Sequence, residues 1–154
     1  MSRPESVQPG ANGFSPREVS LTIPVASDME IVATAQVAAL GEYIDMPHDK
    51  IDEIKLALVE ACINAFEHAN TRDDRVHLTF RVGRDEDGPD FLEVEVFDQG
   101  RGFDHSIVEV PTPEKTFTGG KKRGWGLQIM RSLMDSVAIT SGEWGTKILM
   151  RKYK

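Results

Sequence analysis

Apolar and polar positions alternate from Glu18 to Pro24, with Val19, Leu21 and Ile23 on one side, and this predicts a first strand. The period then lengthens. Asp28 is placed to cap a helix running to about Ile44, with Ile31, Ala35, Ala38 and Ala39 towards the core. After a turn at Met46, Pro47 and His48, apolar residues at Ile51, Ile54, Leu58, Ala61, Ala65 and Ala69 recur at helical spacing, predicting a helix from Asp49 to about Asn70. Val76, Leu78, Phe80 and Val82 return to period two, so Arg75 to Val82 and Phe91 to Asp98 read as an antiparallel hairpin around the polar turn GRDEDGPD. Trp125 to about Met134 reads as a third helix. Ser136 to Ser141 and Thr146 to Tyr153 read as two further strands around the turn Gly142 to Gly145.

The resulting order, β, α, α, β, β, long loop, α, β, β, predicts an α+β two-layer sandwich with helices on one face of a largely antiparallel mixed sheet. Two segments stay outside it. Residues 1–17 are rich in Pro, Gly, Ser and Asn without hydrophobic periodicity, which predicts a disordered arm ahead of one domain at 18–154. The loop from Gln99 to Arg123 holds two prolines and four glycines, and is far longer than ordinary connections of ~4 to 6 residues.

Composition narrows the partners. A chain of 154 residues that is 40% hydrophobic can bury a single core. Its 25 acidic residues against 18 basic ones disfavour a broad electrostatic grip on nucleic acid or an anionic membrane. Cys62 is the only cysteine, which excludes an intrachain disulfide and a cysteine-zinc cluster. No charged-then-apolar leader opens the sequence and no apolar run approaches the roughly 20 residues of a membrane span, so the expected location is the cytoplasm.

Three segments carry candidate chemistry. Glu60, Asn64 and His68 recur every four residues on the second helix and line one polar row. Alone, such a row is more often a solvated helix face; alternatively, the carboxylate positions a hydroxyl and the amide oxygen holds a hydrated Mg²⁺. At the end of the third strand, Asp98 is followed by Gln99, Gly100, Arg101 and Gly102. This is either an ordinary turn with an exposed carboxylate or a site where Asp98 accepts a hydrogen bond from an exocyclic amine while glycine backbone approaches a planar ring such as adenine. In the third segment, Gly119, Gly120, Lys121, Lys122, Arg123 and Gly124 stand just before a helix. A helix N-terminus offers free N–H groups and a positive dipole end to phosphate, although a basic flexible loop without ligand has the same composition. A P-loop, the protein-kinase H-R-D and D-F-G triplets and a complete dinucleotide turn are all missing. Cys62 reads as a small packing residue, and His48, His77 and His105 show no metal-ligand spacing.

In order, EACINAFEHAN, DQGRG and GWGL resemble the N, G1 and G2 boxes of the GHKL ATPase superfamily. The resemblance spans roughly Val19 to Lys152 and is most similar to the small anti-sigma serine kinases of bacterial partner-switching, whose GT pair is matched by Gly145 and Thr146. It implies a Bergerat-type ATP-binding fold with an ATP lid at about 99–125. Glu60 would be the catalytic carboxylate, Asn64 the Mg²⁺ ligand and Asp98 the reader of the adenine amine. Gly100 and Gly102 would form the adenine side, with Thr146 supporting Asp98; Gly124, Gly126 and Leu127 would close the phosphate side, and Lys122 or Arg123 would reach the terminal phosphate. The implied reaction is ATP-dependent phosphorylation of a STAS-domain antagonist, with a sigma factor as a second partner and a homodimer as the assembly. One position departs from the family: Thr34 falls where members carry a sigma-contacting arginine, and the predicted first helix has no Arg or Lys. A nucleotide-regulated binding module without catalysis is the alternative within the same fold, and the catalytic half of a two-component histidine kinase is disfavoured by the lack of a dimerisation helix with a phosphoacceptor histidine.

Overall fold

A computed structural model of the chain describes residues 17–68, 75–99 and 125–154. Residues 1–16 and most of the expected lid fall outside these, and the statements below concern the described residues. The elements are β1 (Arg17–Pro24), α1 (Met29–Tyr43), α2 (His48–His68), β2 (Arg75–Arg84), β3 (Asp90–Asp98), α3 (Trp125–Leu133), β4 (Ser136–Gly142) and β5 (Gly145–Tyr153). The strands form a five-stranded sheet in the order β1-β2-β3-β5-β4, and each neighbouring pair is antiparallel. The expected two-layer α+β arrangement forms.

Period-two patterning gives the sheet two unlike faces. Towards the helices stand Ile23, Val76, Leu78, Phe80, Val82, Leu92, Val94, Val96, Ile148 and Met150, all buried. They pack against Ile54, Ala57, Leu58, Ala61 and Ala65 of α2 and Met130 of α3 in one core. Val19 and Leu21 share the side of Ile23, but burial fades along edge strand β1, where Val19 is exposed. The opposite face is tied by charge. Arg81 reaches Glu18, Glu93 and Glu95, Lys147 joins Glu95, and Arg151 joins Glu93 and Asp85. Glu18, Arg81, Glu93 and Arg151 sit opposite one another in register, so this row of ion pairs runs across β1, β2, β3 and β5, and Glu95, Lys147 and Asp85 join it diagonally or from the hairpin turn.

Most helices and strands lie within a residue or two of expectation. The β2–β3 hairpin is tighter than the polar turn suggested, because the Arg84–Asp90 pair extends the ladder and closes with a 2.7 Å ion pair. Helix α1 differs in two ways. Its buried residues are Ala33, Val37 and Gly41, whereas Ile31, Ala35 and Ala39 are exposed and Ala38 is half-buried. The segment is apolar on nearly every side, so periodicity could not choose a face; close approach to α2 chose it. A Cβ on Gly41 would lie 2.6 Å from Ile51 Cγ1, a contact only glycine allows. Asp28 also makes no side-chain cap bond. Its backbone is left-handed (φ 71°), which Asp tolerates but which differs from the β-region geometry an N-cap uses to reach the N2 or N3 amide.

Candidate active site

The fold gathers the predicted residues from two directions. From the sheet, register aligns Ile23, Val76, Asp98, Thr146 and Ser141 in one transverse row on the helix-covered face. Two members of that row, Ile23 and Val76, are apolar core, and the three on β3, β5 and β4 are polar. Asp98 is 2% exposed and Thr146 fully buried. The Ser141 Oγ and Thr146 Oγ1 atoms are hydrogen-bonded at 3.2 Å.

A glycine locks this row. Gly145, at the end of the tight β4–β5 turn, has φ +131°, and a Cβ there would overlap the Asp98 carbonyl oxygen at 2.0 Å. Only glycine combines that backbone conformation with that approach. The sequence marked Gly145 as half of a GT pair but gave it no role; a glycine closing a two-residue hairpin is the signal that could have singled it out.

From the helices, α2 brings Glu60 and Asn64 one turn apart, and its packing against α3 sets Glu60 beside Gly126. A Cβ on Gly126 would stand 2.9 Å from Glu60 Oε2. The carboxylate therefore occupies the space that a side chain at the start of α3 would take. Asn64 is half-buried, and its Nδ2 is a buried polar atom with no hydrogen-bond partner. Leaving a buried amide unpaired costs about 1 to 3 kcal/mol, and such a group in an otherwise satisfied core is suited to an incoming ligand. Amide oxygen and nitrogen are interchangeable by a side-chain flip, so the same residue can offer an oxygen to a hard cation and an N–H to an anion. The donor set fits an Mg²⁺–phosphate group.

Leu127 is partly buried against the core behind this site. Gly100, Gly102, Lys122, Arg123 and Gly124 lie outside the described residues, and α2 ends at His68. Cys62 is fully buried on the core side of α2, and burial, helped by Glu30, pushes its thiol up to about 12. It is therefore a protonated packing group and not a nucleophile. Thr34 donates its hydroxyl to the Ile31 carbonyl at 3.0 Å, within its own helix.

A buried carboxylate at the end of a strand, an Asn with an unpaired amide one turn from a Glu, and a glycine in the first turn of a helix against that Glu are the features of this candidate site. Residues 25–152 match the family model for the histidine kinase-like ATPase domain, and the chain belongs to that family. Within it the relatives are specific. The serine-protein kinase RsbW of Bacillus velezensis is 30% identical over 139 residues, covering 88% of this chain and 84% of its own. The anti-sigma F factor of Clostridium acetobutylicum is 32% identical over 128 residues, covering 82% of this chain and 86% of its own. The fold is shared with the RsbU and RsbW domains of a Mycobacterium tuberculosis protein, with a TM-score of 0.64 and 19% identity over 89% of this chain; the match spans 32% of that longer structure. The chain is an ATP-using serine/threonine protein kinase of the anti-sigma group. No helix among the described residues is long and apolar enough to cross a membrane.

Proposed function

We propose that the chain transfers the γ-phosphoryl of ATP to a serine or threonine hydroxyl of a STAS-domain antagonist, in the cytoplasm, as a homodimer that also binds a sigma factor. The observation that carries the chemistry is the seating of Glu60 against Gly126, one helical turn from the unpaired Asn64 amide.

Each residue has a distinct task in this reading. Asp98 accepts a hydrogen bond from the adenine amine, supported by Thr146 beside it in register. Gly100 and Gly102 let backbone approach the ring. Asn64 would hold Mg²⁺ through its amide oxygen, and the ion would supply charge neutralisation between phosphate oxygens. Lys122, Arg123, Gly124, Gly126 and the amides at the start of α3, packed down by Leu127, hold the terminal phosphates. Glu60 takes the proton of the attacking hydroxyl while the new P–O bond forms and ADP leaves with the old one. The partner assignment draws on the relative named an anti-sigma F factor. Because α1 carries no cation, a sigma contact through this helix would use its exposed apolar residues Ile31 and Val32 instead of a basic group.

The direct test is to incubate the protein with Mg-ATP and candidate STAS proteins and to look for phosphoserine or phosphothreonine by mass spectrometry. Glu60→Gln is expected to keep ATP binding and lower transfer by roughly 10² to 10⁴. Near-normal transfer by that variant would remove Glu60 from the mechanism.

A further inference from the structure

One charged residue stands among the core positions of β5. Thr146, Ile148, Met150 and Lys152 alternate along the helix-covered side of that strand, and all four are buried. Ile148 and Met150 are core and Thr146 lies beside Asp98, but Lys152 has no part in the account above. It stands in register with the buried apolar residues Leu92 and Val82 and is 7% exposed. A lysine almost never goes so deep unless its charge is paired. Its Nζ donates to the Leu133 carbonyl oxygen at 2.5 Å and forms an ion pair with Glu53 Oε2 at 2.7 Å. Leu133 ends α3, and Glu53 belongs to α2.

We infer that Lys152 is a positioning residue for phosphoryl transfer: it clamps the C-terminal end of α3 to α2 and so fixes how Gly126, near the other end of α3, meets the Glu60 carboxylate. This inference rests on the reading of Glu60 as the group that takes the hydroxyl proton.

The spacing of the contacts carries the argument. Glu53 precedes Glu60 by seven residues on α2, and Leu133 follows Gly126 by seven on α3. Seven residues are about two helical turns, or ~10 Å, so each pair shares one side of its helix. The two helices therefore meet at two equally spaced points taken in opposite order. At one, Gly126 sits against Glu60; at the other, Lys152 joins Leu133 to Glu53. Two points fix the direction of a short rod, whereas one lets it swing. Met130, between them, contributes apolar packing, which is not directional. Asp135, just beyond α3, ties the chain to the sheet: its N–H donates to the Arg151 carbonyl at 3.0 Å, and its Oδ2 accepts the Tyr153 N–H at 2.7 Å. Lys152 carries that tie on to α2. An ammonium also suits this end of α3, where the last carbonyls lack helical partners and the dipole is negative.

The test measures ATP binding and steady-state transfer in the full chain, with a STAS protein that the parent phosphorylates. Lys152→Met keeps an unbranched side chain in the core but removes the cation, and should lower kcat at saturating ATP roughly 10-fold with ATP affinity within about threefold of the parent. In the Glu60→Gln background the same substitution should cost less than about twofold, because it acts through the carboxylate already removed. Glu53→Ala, at a half-exposed position, breaks the ion pair alone and should lower kcat roughly 5-fold with the same dependence on Glu60; it decides the matter if the methionine variant does not fold. Glu53→Gln, which keeps an acceptor for Lys152, should recover most of that loss. A kcat within twofold of the parent in the folded clamp variants overturns the inference. So does an equal loss in both Glu60 backgrounds, which a general loosening of the fold would produce, or an ATP affinity that falls as far as kcat. Near-normal transfer by Glu60→Gln alone removes the underlying reading and the clamp with it; a large loss there beside unchanged kcat in the clamp variants removes the clamp alone.

Discussion

At Gly126 a single missing methyl makes room for a neighbouring carboxylate. The carboxylate of Glu60 fills the place of its absent Cβ, at 2.9 Å, and the atom in the way is the far end of a flexible side chain. Gly126→Ala should therefore fold well, since alanine favours a helix by up to about 1 kcal/mol over glycine. The same methyl moves the Glu60 carboxylate, and displacements of about 1 Å at a reacting group cost up to ~10² in rate. We expect an unchanged or raised melting temperature with transfer lowered about 10- to 100-fold. Combined with Glu60→Gln, the substitution should add little to the rate loss, because it acts through the group already removed. A fully additive loss would place Gly126 in phosphate binding alone. Gly145 is the opposite case: its steric partner is the backbone of Asp98, which cannot swing aside.

Among the elements, α1 and α2 depend on each other through one close contact. The contact of Gly41 with Ile51 lets the two helices approach, and Ala33 and Val37 extend the same buried stripe. Gly41→Ala sets a methyl 2.6 Å from Ile51 Cγ1 and 2.7 Å from its Cδ1, so the helices must separate or Ile51 must leave its rotamer. Overpacking of this kind costs roughly 1 to 3 kcal/mol, more than the gain in helix propensity. Urea unfolding should show that loss as a lower midpoint with an unchanged slope. Most elements were legible in the sequence, and α2 and the β2–β3 hairpin most plainly, because each has one clean period. Helix α1 was legible as a helix but not in orientation, since its residues are apolar all round and the choice of face lay in the partner helix.

At the scale of the whole molecule, the open face of the sheet makes stability depend on pH. Burial alone would raise the Glu95 carboxyl, but hydrogen bonds and charge from Arg81 and Lys147 outweigh it and hold it below the ordinary glutamate value. A carboxylate depressed in this way stabilises the fold above its unfolded value of about 4.3, and the contribution disappears as pH falls through the lower folded value. Stability of the parent should thus drop more steeply below about pH 5 than that of Glu95→Gln, as followed by chemical unfolding across that range. Equal slopes would mean that these half-exposed ion pairs are screened to nothing. The placement of the candidate site divides along physical lines. Residue type and spacing along one element made Glu60, Asn64 and Asp98 candidates, because a four-residue interval on a helix or a strand end fixes local geometry without reference to the rest of the chain, whereas Thr146 was marked only by the family resemblance. The seating of Glu60 against Gly126, the Gly145 contact with Asp98 and the alignment of Ser141 with Thr146 join residues 5 to 66 positions apart in sequence. Such relations arise from strand register and helix crossing, which follow from burial of the whole core and not from any local run of residues.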